Sequence, residues 1–154
     1  MTEDLQISAA GSALPTEWVI DHIGHAVHDL DLAISTYTRS AGFALTEQEE
    51  LAEHLVRAAF LRAPGASESA PLIELIQPLP GNTTLSRFLE RRGEGLHHLC
   101  YRVASVEHEL KRLHALGVVL IDSSPRAGSR GQDVAFLHPK SFHGALIELC
   151  SPRR

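Results

Sequence analysis

Four side chains of the kind that hold a divalent ion recur at matching places in two copies of one motif. His22 lies in Ile20-Asp21-His22-Ile23, with Val27 beyond it, and His98 lies in Leu96-His97-His98-Leu99, with Val103 beyond it. The two stretches align without a gap. Glu74 lies in Leu72-Ile73-Glu74-Leu75 and Glu148 in Leu146-Ile147-Glu148-Leu149. Side chains alternate along a strand, so Leu72 and Ile76 share the face of Glu74, and Leu146 and Cys150 share that of Glu148. A carboxylate on an apolar face is costly to bury without a partner, and a cation removes that cost. Two imidazoles and two carboxylates suit a divalent transition ion, with positions left for water or substrate oxygens. His22, Glu74, His98 and Glu148 are therefore the expected metal ligands, for Co, Mn, Ni or Zn alike.

A lone strand histidine is usually a core or surface residue, and a lone buried glutamate often pairs with Arg or Lys; it is the repeat that favours ligation here. His97 matches Asp21 and alternates with His98, which predicts that it faces the other way in a supporting role. Cys100 and Cys150 each follow an expected ligand by two residues and share its face. They could be soft competing ligands or a redox pair, but small buried fillers are the simpler expectation.

The elements that must position these groups also come in pairs. Trp18 to Val27 reads as a strand, and Asp29 caps a helix with Leu30, Ala33, Ile34 and Tyr37 on one face. Gly42 stops it. Strands follow from Phe43 to Thr46, from His54 to Leu61 and from Leu72 to Ile76, with Glu47 to Glu50 solvated and Pro64 to Ser67 a turn. A short helix near Thr84 to Arg92 connects the halves. The order then repeats: a strand from Leu96 to Val103, and a helix capped by Ser105 with Val106, Leu110, Leu113 and Leu116 on one face. Strands over Val118 to Ile121, Val134 to Leu137 and Leu146 to Cys150 follow, with Pro125 to Gly131 a loop. Gly42-Phe43-Ala44-Leu45 parallels Gly117-Val118-Val119-Leu120, and Ala59-Phe60-Leu61 parallels Ala135-Phe136-Leu137, at offsets of roughly 75 residues. The fold class is α+β: two tandem βαβββ modules enclosing a cleft. Residues 17–152 are expected to form one domain, with module one at 17–80, a linker helix at 81–93 and module two at 94–152, after a flexible N-terminal tail at 1–16.

The formal net charge of −5 and the absence of a basic run exclude a nucleic-acid footprint. No apolar stretch is long enough to span a membrane. The first residues lack the basic start and apolar middle of a signal peptide, and two cysteines are too few for a disulfide framework, so a reducing cytoplasm is expected.

With these pieces assembled, the chain resembles the vicinal oxygen chelate, or glyoxalase-fold, superfamily, and within it the methylmalonyl-CoA epimerases. The likeness runs from Asp21 to Pro152. It is carried by Arg91-Arg92-Gly93-Glu94-Gly95-Leu96-His97-His98, by Ile73-Glu74-Leu75, and by Phe136-Leu137-His138-Pro139-Lys140 leading to Gly144-Ala145-Leu146-Ile147-Glu148-Leu149. The resemblance implies an ion on His22, Glu74, His98 and Glu148, a homodimer, and an acyl-CoA thioester substrate. The implied reaction interconverts (2R)- and (2S)-methylmalonyl-CoA by metal-assisted removal of the C2 proton, with Glu148 as ligand and catalytic base. Several members carry a glutamate in the third strand as a second acid/base; Ala58 occupies that place here, leaving Glu74, His54 or a water for the opposite face. Lys140, Arg126 and Arg130 in module-two loops are the expected contacts of the CoA phosphates, with Arg87, Arg91 and Arg92 near the linker helix as further candidates. The alternatives are a glyoxalase I-type isomerase or another acyl-CoA epimerase on the same site, and a non-catalytic binding protein of the same fold.

Overall fold

The computed structural model describes residues 17–153, so the tail predicted at 1–16 lies outside the described residues. Strand β1 (Val19–Ala26) leads into α1 (Leu30–Ser35), where the Asp29 side chain accepts from Leu32 N at 3.0 Å, as the cap reading expects. The helix does not run regularly to Tyr37: it widens into a π-helical turn over Thr36–Ser40 before Gly42, whose φ of +74° reverses the chain. Strands β2 (Ala44–Leu51), β3 (Val56–Arg62) and β4 (Leu72–Pro78) complete the first half. Helix α2 (Thr83–Arg92) connects to β5 (Gly95–Arg102), and Asn82, not singled out from sequence, caps it through Leu85 N at 2.9 Å. Then come α3 (Val106–Ala115), β6 (Arg126–Ala127), β7 (Gln132–Leu137) and β8 (Ile147–Pro152).

All eight strands form one sheet in the order β2-β3-β4-β1-β5-β8-β7-β6. Each half is the predicted βαβββ unit, and the halves join through the antiparallel β1–β5 pair. On the outer face, α1 covers Ala59, Leu61 and Leu75 with Val27 and Leu30, while α3 covers Ala135, Leu137 and Leu149 with Val106, Leu110 and Leu113. Each such fully buried leucine contributes about 1.5–3 kcal/mol. The inner face of the first half is sealed by α2, whose Leu85 and Leu89 pack on Ala26, Ala58, Phe60 and Leu72. The sheet curls until its far ends meet: Glu49 on β2 accepts from Arg130 N at 2.9 Å, and His54 contacts Ala127 O.

Two expectations fail in the second half. Leu116 is 60% exposed and does not belong to the apolar face of α3. Val118 to Ile121 is not a strand: only Leu120 bridges to Leu137, and the paired segment is β6, inside the predicted loop. The cause is Asp122. Its carboxylate accepts from Phe136 N at 2.8 Å, replacing the backbone carbonyl a strand would offer, while Ile121 N and Asp122 N both turn to Phe136 O.

Candidate metal centre and cleft

The structure brings His22, Glu74, His98 and Glu148 together from four adjacent strands, β1, β4, β5 and β8, with one donor atom of each within 4.8 Å of the others. Glu74 Oε2 lies 3.2 Å from His22 Nε2 and 3.1 Å from His98 Nε2. Glu148 Oε2 lies 3.3 and 3.0 Å from the same two nitrogens, which are 3.3 Å apart. All four residues are buried. An imidazole Nε2 carries at most one proton, yet each faces two carboxylate oxygens and the other Nε2, so hydrogen bonds alone leave contacts unserved. Ligands about 2.0–2.1 Å from a transition ion stand about 2.8–3.4 Å apart at the cis or tetrahedral edges, a range that includes the observed separations. The donor set fits a divalent ion.

Without an ion, the same four groups form a network of mutual ion pairs. Burial by itself would lower the His98 pKa, but hydrogen bonds and charge from Glu148 and Glu74 outweigh it and hold the ring protonated up to about 9. Burial also opposes charge on His22, and Glu74, Asp21 and Glu148 together raise its pKa well above the ordinary value. Burial would raise both glutamates, yet the two imidazoles pull Glu148 down to about 2 and Glu74 lower still.

The two histidines owe their aim to a pair of β-bulges. The β1–β5 ladder skips Asp21 between Ile20 and His22, and skips His97 between Leu96 and His98. A bulge residue need not follow strand alternation. The Asp21 carboxylate therefore reaches His22 Nδ1 at 2.8 Å, and His97 Nδ1 reaches His98 Nδ1 at 3.0 Å. Here the sequence expectation for His97 needs correction: it does not face away but lines the cleft, its ring against Phe88 at 4.8 Å. Burial, with the neighbouring His98 charge, lowers its pKa to about 4 and keeps it neutral. The register that aligns His98 with His22 brings both into the cluster of four, and His97 is not part of it.

Sequence reasoning also missed Gly24. A Cβ there would lie 2.2 Å from His98 Cε1, so this strand glycine makes room for the ring. A glycine inside an apolar strand is itself the signal, since it marks a close approach. His25 is half-buried and bonded to the Tyr37 hydroxyl at 2.9 Å. Cys100 and Cys150 are free, fully buried and packed on Val134, as the filler reading expects, with Asp21 beside them.

In front of the cluster lies a cleft of about 550 Å³. Glu74, His97, His98 and Glu148 are among its polar lining; Leu51, Val56, Ile76 and Phe136 are among its apolar walls. The three expected CoA contacts separate. Arg126 lines the cleft with its side chain 43% exposed, beside Asp122 and 3.3 Å from His54 Nδ1. Lys140 is exposed on the short helical turn Pro139–Phe142 and is not among the cleft-lining residues. Arg130 is turned inward, its guanidinium against Asp21 and over the Phe60 ring, so it does not stand at the cleft mouth.

Comparison with known proteins converges on one group. Residues 21–136 match the model of the glyoxalase/bleomycin resistance protein/dioxygenase superfamily. An ethylmalonyl-CoA/methylmalonyl-CoA epimerase of Cereibacter sphaeroides is 34% identical over 84% of this chain and 95% of its own. The uncharacterized protein YqjC of Bacillus subtilis is 37% identical over 87% of this chain and 92% of its own. A variant of Streptomyces coelicolor methylmalonyl-CoA epimerase, solved with 2-nitronate-propionyl-CoA, superposes with a TM-score of 0.80 at 35% identity, covering 88% of this chain and 97% of that one. Bulged strands that set two histidines between two glutamates thus sit in a fold shared with these enzymes, and the chain belongs to the glyoxalase/bleomycin resistance protein/dioxygenase superfamily, on its methylmalonyl-CoA epimerase branch.

Proposed function

We propose that this protein epimerises 2-methylmalonyl-CoA at C2, using a divalent ion held by His22, Glu74, His98 and Glu148. The observation that carries the reading is the pair of buried carboxylates approaching the same two imidazole nitrogens, in the lining of a cleft that also presents apolar side chains and Arg126. A bound divalent ion supplies Lewis-acid polarisation of the thioester oxygen, which makes the C2 proton acidic enough to remove. The chain's own groups do the rest. Glu148 takes the C2 proton as general base, and a proton delivered to the opposite face completes inversion. Ala58 carries no such proton and is fully buried. To that face we assign Glu74, the counterpart of Glu148 in the first half; His54 is engaged by Ala127 O and Arg126. Arg126 at the cleft wall is the cation assigned to the CoA phosphates. The reading includes a homodimer in the cytoplasm; among the described residues no helix is long and apolar enough to cross a membrane.

The test is label exchange. Co²⁺-loaded protein in deuterated water should incorporate deuterium at C2 of methylmalonyl-CoA, and Glu148→Gln should reduce this at least ~10²-fold. No exchange with Co²⁺, Mn²⁺, Ni²⁺ or Zn²⁺ would overturn the assignment, and so would faster turnover of the methylglyoxal–glutathione hemithioacetal.

A further inference from the structure

Arg130 occupies an unusual place for a side chain borne on a surface turn. It sits between β6 and β7 in a left-handed conformation, φ 53°, and its backbone N–H is held by Glu49 from the opposite edge of the sheet at 2.9 Å. Its guanidinium then crosses inward over the Phe60 ring, 4.3 Å from the ring centre, and Phe60 meets the His22 imidazole edge-on at 5.4 Å. Nη2 pairs with Asp21 Oδ2, the same oxygen that bonds His22 Nδ1, and lies 3.4 Å from that nitrogen. Nε is buried without a partner among the described residues, and only 17% of the side chain is exposed. The other Asp21 oxygen takes Arg102 Nη1 at 3.3 Å. A guanidinium so enclosed is poorly presented to a ligand phosphate.

We propose that Arg130 is a positioning residue for the metal centre: it clamps the Asp21 carboxylate against His22 Nδ1, so that the imidazole keeps its Nδ1 proton and aims Nε2 at the ion. The inference rests on the metal-site reading above. Asp21 has one oxygen shared by a fixed cation and an imidazole, and a second held by Arg102. With both oxygens engaged, the carboxylate cannot swing, and the ring it holds cannot rotate. Carboxylate partners of ligating imidazoles commonly govern metal affinity by 10–100-fold, and here the carboxylate is itself governed from the other half of the molecule. A loop of module two thereby sets the aim of a ligand in module one.

The experiment is Co²⁺ titration of metal-free protein, read by visible absorption and equilibrium dialysis, on wild type, Arg130→Met, Arg130→Lys, Asp21→Asn and the Met/Asn double variant. Arg130→Met should weaken Co²⁺ binding about 10–100-fold and alter the d–d band. Lysine restores the charge without the planar fork and should recover part of the loss. The double variant should bind within about twofold of Asp21→Asn alone, because both changes break one linkage. Binding of CoA itself should not change. Wild-type affinity and band shape in Arg130→Met would overturn the inference while leaving the metal site intact. So would a loss of CoA binding with Co²⁺ affinity preserved, which would return Arg130 to phosphate recognition. Failure of the wild type to take up Co²⁺ would overturn the metal-site reading and this inference with it. If Arg130→Met does not fold, the lysine variant decides: unchanged Co²⁺ affinity and d–d band there refute the planar clamp.

Discussion

Replacing Gly24 with alanine isolates the demand the metal centre makes on the backbone. The added methyl would stand 2.2 Å from His98 Cε1, 2.3 Å from Nδ1 and 2.7 Å from Nε2. Ordinary contact begins near 3.4 Å, so the ring must retreat by about 1 Å or the β1–β5 ladder must part. Retreat carries Nε2 out of a cluster whose edges are 3.0–3.3 Å. A misplacement of about 1 Å costs roughly 10²-fold in rate, and over-packing of this kind costs about 1–3 kcal/mol of stability. At about 2–4 °C per kcal/mol for a chain of this size, Tm should fall by about 2–12 °C. The check is a cycle of four proteins, wild type, Gly24→Ala, His98→Ala and both, with thermal unfolding by circular dichroism in EDTA and Co²⁺ titration of each. With His98 truncated there is no ring to displace, so the alanine should cost under about 0.5 kcal/mol in that background, the scale of additivity between independent sites. Equal penalties in the two backgrounds would refute the steric account. A wild-type Co²⁺ spectrum in Gly24→Ala would refute the claim that the glycine seats the ligand.

Two further outcomes follow from charge. In the metal-free protein His98 stays protonated up to about 9, against about 6.5 when unfolded. A raised folded pKa stabilises fully below the unfolded value and is lost as pH rises through the folded one. Tm in EDTA should therefore decline between about pH 6.5 and 9, whereas the Tm increment on adding Co²⁺ should grow across the same window as the ion displaces that proton; a flat increment would contradict this. Arg126→Ala should raise KM for the CoA thioester about 10–100-fold with kcat little changed, because a charge-assisted contact to phosphate is worth about 1.5–3 kcal/mol; steady-state kinetics decide, and a loss confined to kcat would contradict the assignment.

The duplication made the four donors legible because a repeated histidine and a repeated glutamate constrain one another across distant stretches of chain. What surrounds them depended on geometry that residue types do not carry. The period of two predicted His97 on the wrong side because the rule holds only where the ladder is regular, and bulges break it at Asp21 and His97. Val118 to Ile121 has a strand's composition but loses its ladder to one carboxylate, that of Asp122. Arg130 looked like any loop cation, since nothing local reveals that the sheet curls far enough to lay it over Phe60. Gly24 was readable in principle: where the second copy has Cys100, the first has a residue without a side chain.

The join between the halves has a mechanical consequence. β1 and β5 pair from Val19 opposite Arg102 to Ala26 opposite Gly95, and both His22 and His98 sit within that pairing. Among the described residues, a strand pair rather than a hinge forms the midline. The halves cannot swing apart like jaws without tearing the strands that carry the imidazoles, so entry and exit of a bulky thioester fall to the rim. There the ends of the sheet meet through side-chain hydrogen bonds, Glu49 on the Arg130 amide and His54 against Ala127 O and Arg126. The floor of the cleft is a continuous strand pair, and its latch is on the far side.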